Sequence, residues 1–200
     1  MSADPALRVY AEHAGDMAAR WRAARTPAEL YAPVADLVLD SPCRVADIGA
    51  GPGREAQWLA GLGHDVTAVE PVQPFREIGA HGAAQVTWLD DRLPDLALTR
   101  QLPLFDLVLL TGVWQHVDPA SRGQAMASLA AILRDGGRLM ISLRQGPVDP
   151  HRGLHTADAG EALGLAAAAG LTMIARRDGA SAQPQGIVAG VSWIWLVLGR

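Results

Sequence analysis

Two acidic residues and three glycines stand at spacings able to hold a charged, hydroxyl-bearing ligand. Asp47 is followed by Gly49, Gly51 and Gly53, and Glu70 closes the next apolar run. Glycine takes positive φ and carries no Cβ, so a ligand can approach the main chain closely at this turn. Residues 53–55 open a helix, whose free N–H groups favour a carboxylate or phosphate. Glu70 ends its strand, where a carboxylate can accept hydrogen bonds from two ribose hydroxyls. Farther along, His116 offers an imidazole with an ordinary pKa of about 6.5, suited to taking a proton near neutrality. Trp114 offers a flat face to a planar ligand or a cation. Arg144 offers a fork to a carboxylate, and His151 and His155 are further polar contacts on the next loop. Each has a plainer reading as well. His116 can bond the main chain of the next helix, Trp114 can be a pocket wall, Arg144 a solvated rim residue, and the two later histidines ordinary loop residues.

The elements that must position these groups follow from periodicity and turn chemistry. Strands are expected at 43–48 and 65–70, with a helix at 54–61 between them. That is one βαβ unit built to hold a nucleotide-like ligand. A dinucleotide fingerprint would space its glycines G-x-G-x-x-G. Here they run G-x-G-x-G and Arg54 takes the last place of that pattern, which hinders close approach of a pyrophosphate. Before the unit, helices are expected at 6–23 and 27–39, the second opened by Thr26, Pro27 and Glu29. After it come a weak helix at 73–81, a strand at 85–89 and a short helix at 95–100. The nearly continuous apolar run 104–110 reads as a central parallel strand covered on both faces. It leads into the loop carrying Trp114 and His116, which should face the ligand because open α/β sheets bind at strand carboxyl ends. A helix at 119–133, with Met126, Leu129, Ile132 and Leu133 inward, leads through a turn at 134–137 to a strand at 138–143. The loop 144–156 follows, then a helix at 158–169, a strand at 171–176, turn-rich residues 178–190 and a last strand at 191–198. Only a hairpin-length link precedes that last strand, so it is expected to be antiparallel.

The stretch 45–53 (Val-Ala-Asp-Ile-Gly-Ala-Gly-Pro-Gly) and the stretch 66–71 (Val-Thr-Ala-Val-Glu-Pro) resemble motifs I and II of the class I S-adenosylmethionine-dependent methyltransferases. The resemblance covers residues 40–200, with sharp motifs in the first half. It implies an α/β, three-layer Rossmann-like fold with a mostly parallel seven-stranded sheet and an antiparallel last strand. It implies that the loop Gly49, Ala50, Gly51 and Gly53 wraps the methionine part of S-adenosylmethionine. Asp47 would lie beneath the loop and bind the ammonium directly or through water; Glu70, with Pro71 beside it, would hold the ribose. After the third strand, Asp90 (or Asp91) would bond the adenine amine and Leu89 pack on the ring. Thr111 and the loop to Pro119 match motif IV, where cofactor and acceptor meet. The N-terminal helices would form a lid, with Tyr10 and Trp21 facing the acceptor or packing into the core. The proline-glycine-glycine usual in the family is Asp135-Gly136-Gly137 here, a departure that still turns.

Within the family, adenine-amine DNA enzymes carry Asp/Asn-Pro-Pro-Tyr/Phe after strand four, where this chain has Thr111-Gly112-Val113-Trp114. Cytosine-carbon enzymes need a cysteine near strand four, and Cys43 stands elsewhere; arginine methyltransferases carry two glutamates there. A small-molecule acceptor, with His116 as base, is the resulting expectation. The alternatives are a silent cofactor-binding module serving a partner protein, or a nicotinamide-dependent oxidoreductase, which the glycine spacing disfavours.

Two hundred residues suffice for one domain, read here as a helical lid at 1–40 on an α/β core at 41–200. A net charge of −4 gives no footprint for general nucleic-acid binding. All basic side chains are arginine and alanine is abundant, which points to a GC-rich bacterial genome. Cys43, the single cysteine, excludes an internal disulfide and a cysteine-cluster metal site, and reads as a small buried residue. Asp118 and Asp149 lack a convincing third ligand, so no metal is expected. The start lacks a signal-peptide pattern and no apolar run is long enough to span a bilayer, so a cytoplasmic protein is expected. The oligomeric state is not readable.

Overall fold

The computed structural model describes residues 5–24, 26–82, 85–148, 153–181 and 188–200. The glycine-rich turn joins β1 (Arg44–Ile48) to α4 (Arg54–Gly61), and α4 leads to β2 (Asp65–Val69). Five parallel strands form around this unit: β1, β2, β3 (Val86–Leu89), β4 (Phe105–Leu110) and β5 (Leu133–Gln145). β6 (Thr172–Ala180) and β7 (Ser192–Gly199) complete a seven-stranded sheet of order β3-β2-β1-β4-β5-β7-β6. β7 slots between β5 and β6 and runs antiparallel to both, as the short link before it requires. The strand order reverses between β1 and β4, so a crevice opens outside their carboxyl ends.

Alternation along the strands makes two cores, because successive side chains point to opposite faces. Ala46, Ile48, Val108, Leu110, Leu139 and Ile141 pack with Met126 and Leu129 of α6 (Arg122–Ala131) and Ala162 and Ala166 of α7 (Ala159–Ala168). Val45, Leu107, Leu109, Met140 and Val197 face the other way, against Ala56 and Leu59 of α4 and Tyr31 of α3 (Pro27–Tyr31). The N-terminal α1 (Pro5–Glu12) and α2 (Ala14–Arg22) make a third cluster: Ala14 and Met17 pack on Val72 and on Phe75 of α5 (Gln73–Ala80).

Several expected boundaries move. The helix expected at 6–23 breaks at His13, which leaves helical geometry (φ −112°, ψ 16°). The helix expected at 27–39 stops at Tyr31 and tightens into a 3₁₀ segment, Ala32–Leu37, kinked at Val34. Pro33 has no N–H to donate and its ring crowds the preceding turn. The helix expected at 95–100 shrinks to a 3₁₀ turn, Thr99–Gln101. The Asp91 carboxylate takes the N–H groups of Leu98 and Thr99, giving the main chain an alternative to helix. Pro119–Ser121 is a 3₁₀ turn ahead of α6, and β5 begins at Leu133, opposite Phe105. β6 runs on to Ala180 because β7 offers pairing that far. Cys43 is only partly buried, its Sγ 3.2 Å from His64 Nδ1.

The start of α3 closes as its residues dictate: Glu29 N–H donates to Thr26 Oγ1, and Thr26 N–H donates back to Glu29 Oε2 at 2.8 Å. Thr26→Ala is therefore expected to cost about 1 kcal/mol, read as a shift in the urea midpoint at unchanged slope.

Candidate active site

A cavity of about 1020 Å³ occupies the crevice at the carboxyl ends of the strands, at the upper end of the range for small-molecule sites, which is about 300–1,000 Å³. Its floor is the glycine turn. Gly49 lies at φ +71°, and a Cβ there would fall 2.4 Å from Val113 Cγ2. Gly49 and Ala50 N–H groups both donate to Val69 O, at 2.7 and 3.2 Å, tying the turn to β2. Gly51, at φ +55°, lies under the Trp21 ring, 3.2 Å from where its Cβ would be. Gly53 (φ +79°) is the left-handed residue opening α4, and a Cβ there would strike the Trp88 ring at 2.7 Å.

Glu70 follows β2 and is buried beside the turn. Its Oε2 accepts from Gly51 N–H and its Oε1 from Val72 N–H, both at 2.8 Å. Burial pushes its pKa up to about 7, against the opposing pull of those two N–H groups and of Arg76. Asp47, only 2% exposed, lies beneath the turn with Oδ2 lacking any hydrogen-bond partner. Burial, then the charges of Glu55 and Glu70, raise it well above the usual carboxylate range. Arg54 answers part of this negative charge: it pairs with Glu55 and donates to Trp21 O at 3.1 Å.

The lid is an aromatic cluster. Tyr10 and Trp21 both border the cavity and both also pack on Phe75, with ring centroids 6.2 and 5.3 Å away. Tyr10 Oη lies 3.0 Å from His116 Nε2, and the two rings meet edge-on at 5.4 Å. His116 is thus held by a tyrosine from α1, where sequence reasoning offered a backbone bond to the next helix. Thr111, at the end of β4, borders the cavity and shares a 2.5 Å hydrogen bond with Tyr31 Oη. Tyr31 is 1% exposed and packs between Trp58 and Trp195.

The remaining candidates divide. Asp47 and Gly53 underlie the turn; Gly49, Ala50, Gly51, Glu70, Pro71, Thr111, Tyr10, Trp21, His116 and Arg144 border the cavity, and so does His155. Trp114 does not. It is 0% exposed, packed in the core beneath the Arg122 guanidinium at 5.7 Å, so the acceptor contact expected of it is corrected. Its 3₁₀ turn points the indole inward, while its neighbours Gln115 and His116 border the cavity. Leu89 and Asp90 do not border the cavity either: Leu89 packs on the core, and Asp90 pairs with Arg76 at 2.7 Å. Asp91 does border it, with its carboxylate engaged to Thr99 Oγ1 at 2.7 Å. His151 and Asp149 lie outside the described residues. Sequence reasoning missed Tyr31, Phe75, Ser142 and Trp193. No local signal marks the first three, while Trp193 could have been suspected from its place at the mouth of the last strand.

A family model described as a methyltransferase domain matches residues 46–141. An uncharacterised methyltransferase of Mycobacterium bovis is 35% identical over 100 residues, covering 48% of this chain and 37% of the relative. A ubiquinone biosynthesis O-methyltransferase of Xylella fastidiosa is 34% identical over 107 residues, covering 51% of this chain and 42% of the relative. The matches thus span less than half the length of these curated relatives. Among solved structures, a TehB-like methyltransferase of Corynebacterium glutamicum superposes with a TM-score of 0.73 at 21% identity, covering 94% of this chain and 98% of that one. The 1,6-didemethyltoxoflavin-N1-methyltransferase of Burkholderia thailandensis, solved with S-adenosylhomocysteine, gives 0.73 at 22% identity, covering 97% and 86%. Motif, family match and strand order agree: residues 46–141 match a methyltransferase domain, within a fold shared with solved S-adenosylmethionine-dependent methyltransferases.

Proposed function

We propose that this protein transfers a methyl group from S-adenosylmethionine to a small-molecule acceptor, as one domain in which residues 1–40 act as a lid on the α/β core. The observation that carries this reading is the joint placement of the Gly49–Gly51 turn and Glu70 on the cavity with Asp47 beneath them. The residues present fit the cofactor. Asp47 Oδ2 is a buried acceptor without a donor, suited to an ammonium. Glu70 can accept from ribose hydroxyls, and the absent side chains at Gly49 and Gly51 leave room for the ligand's main axis. When bound, the cofactor would supply an electrophilic sulfonium methyl, open to displacement by an acceptor lone pair with the neutral thioether as leaving group.

The chain's own part is to align, to exclude water and to take a proton. Tyr10, Trp21 and Phe75 close the cavity with apolar surface. His116, its ring held by Tyr10, takes the proton that an O–H or N–H acceptor releases. His116→Ala is expected to lower turnover on the order of a hundredfold with unchanged affinity for S-adenosylhomocysteine. Normal turnover would make the histidine structural.

Calorimetric titration with S-adenosylhomocysteine, with NADH as control, tests the cofactor assignment. Binding of the former alone, followed by labelled methyl transfer to acceptors, is the expected result. Binding of NADH alone would reverse the reading towards hydride transfer, and cofactor binding with no transfer to any acceptor would favour a silent module.

A further inference from the structure

Arg144 lies near the end of β5 and Trp193 near the start of β7, and they stand directly opposite each other in the antiparallel pair. Opposed residues present their side chains on one face, so a guanidinium and an indole share one wall of the cavity, and both border it. Ser142 and Trp195, one pleat further along each strand, continue the same wall. The Trp193 ring reaches sideways to the end of β4: a Cβ added to Gly112 would lie 3.7 Å from its Cη2. Aromatic surface therefore flanks Thr111 and Gly112, where the acceptor meets the methyl group if the reading above holds.

Charges of both signs border the cavity, with Arg20 on the lid and Arg54 and Arg92 beside the acids. Glu55 and Glu70 stand at the glycine turn, and Asp91 and Asp95 follow β3. Asp118, beyond β4, turns an oxygen to Ala120 N–H at 2.9 Å. On the β5–β7 side stands Arg144, with His155 on the following loop. Arg144 Nη1 donates to Pro147 O at 2.6 Å, which orients the guanidinium.

We infer that the acceptor is a planar aromatic acid, its ring against Trp193 and its anionic group on Arg144. This rests on the methyltransferase reading and deepens it. A guanidinium pairs with a carboxylate in a directed, two-point way that a neutral amide cannot reproduce. An indole face beside it favours a flat ring over a puckered one.

The test is binding to protein saturated with S-adenosylhomocysteine, followed by tryptophan fluorescence and calorimetry. The probes are hydroxylated benzoates, cinnamates and naphthoates, their neutral amides and their ring-saturated acids. At least one aromatic acid is expected to bind about tenfold or more tighter than its amide and its saturated counterpart. Arg144→Gln should erase the acid-over-amide preference, Arg144→Lys should restore part of it, and Trp193→Leu should erase the aromatic-over-saturated preference. All three variants should keep their affinity for S-adenosylhomocysteine. Equal binding of acid and amide, a preference that survives Arg144→Gln, or no binding of any acid would overturn the inference and leave the cofactor reading standing. Failure to bind S-adenosylhomocysteine at all would overturn both.

Discussion

Gly49→Ala is expected to lose cofactor binding and to destabilise the fold by about 2–5 kcal/mol, from a strained backbone and a crowded contact together. The new Cβ would fall 2.4 Å from Val113 Cγ2 at a residue with φ +71°. A left-handed conformation costs a non-glycine residue about 1–2 kcal/mol, and forcing extra volume into a packed site about 1–3 kcal/mol. Valine has little torsional freedom with which to retreat. Relief can come only from moving the 111–113 loop or the turn itself, and both border the cavity. Gly170 provides the control: it also has positive φ (+81°), with nothing within 4 Å of an added Cβ. Gly170→Ala should therefore show the conformational part alone, with cofactor binding intact. Adding Val113→Ala to Gly49→Ala should return part of the stability. If Gly49→Ala unfolds no more readily than Gly170→Ala, the contact argument is wrong.

Glu70 is expected to act on both binding and pH dependence. Glu70→Ala should weaken S-adenosylhomocysteine binding by about 1–3 kcal/mol, because it removes a charged acceptor from ligand hydroxyls. It also strands the N–H groups of Gly51 and Val72, so some of the loss will come from a loosened turn. Glu70→Gln keeps one acceptor oxygen without the charge, so it strands one of those two N–H groups and should lose less of the turn than Glu70→Ala. The pH dependence follows from the raised pKa. The folded protein holds a proton on Glu70 up to about 7, while the ordinary value of a glutamate is 4.5. Between those values the folded state binds more protons than the unfolded chain, so stability falls as pH rises. The difference is on the order of 3 kcal/mol at about 1.36 kcal/mol per pH unit. Asp47, raised in the same direction by burial and by its acidic neighbours, adds to the trend. Unfolding free energies of wild type and Glu70→Gln should diverge from pH 4.5 to 7 and run parallel above it; parallel curves throughout would sink the assignment. Ligand hydroxyls that donate to Glu70 favour its charged form, so binding near pH 6 should release protons. Calorimetry in buffers of different ionisation enthalpy would detect that release.

The βαβ unit was legible because its determinants are local. A glycine with positive φ, an acid at a strand end and a helix opening after the turn are written within residues 44–70, and each constrains only its neighbours. The apolar run before Thr111 likewise had to be a central strand, and five of the six residues of β4 are buried. The antiparallel β7 followed from the short link before it, because a parallel return needs a longer crossover. Where sequence reasoning went astray, a local breaker was outweighed by periodicity or a competing partner took the main-chain donors. Pro33 broke a helix that periodicity alone would have continued, and Asp91 captured the N–H groups expected of another.

The cavity wall away from the glycine turn is a product of tertiary structure. Tyr10 meets His116 across 106 residues, and Tyr31 meets Thr111 across 80. Arg144 faces Trp193 only because β7 inserts between β5 and β6. The loop after β4 shows the same limit in miniature. Sequence put Trp114 and His116 at the cavity together, yet the 3₁₀ turn they share sends one into the core and the other to Tyr10. Residue type and spacing determined the corner made by the glycine turn, Asp47 and Glu70, because a turn and two strand ends suffice to build it; they did not place Leu89 and Asp90, which lie off the cavity. Side-chain direction and long-range pairing decided the rest of the cavity wall, and these depend on which strands lie side by side.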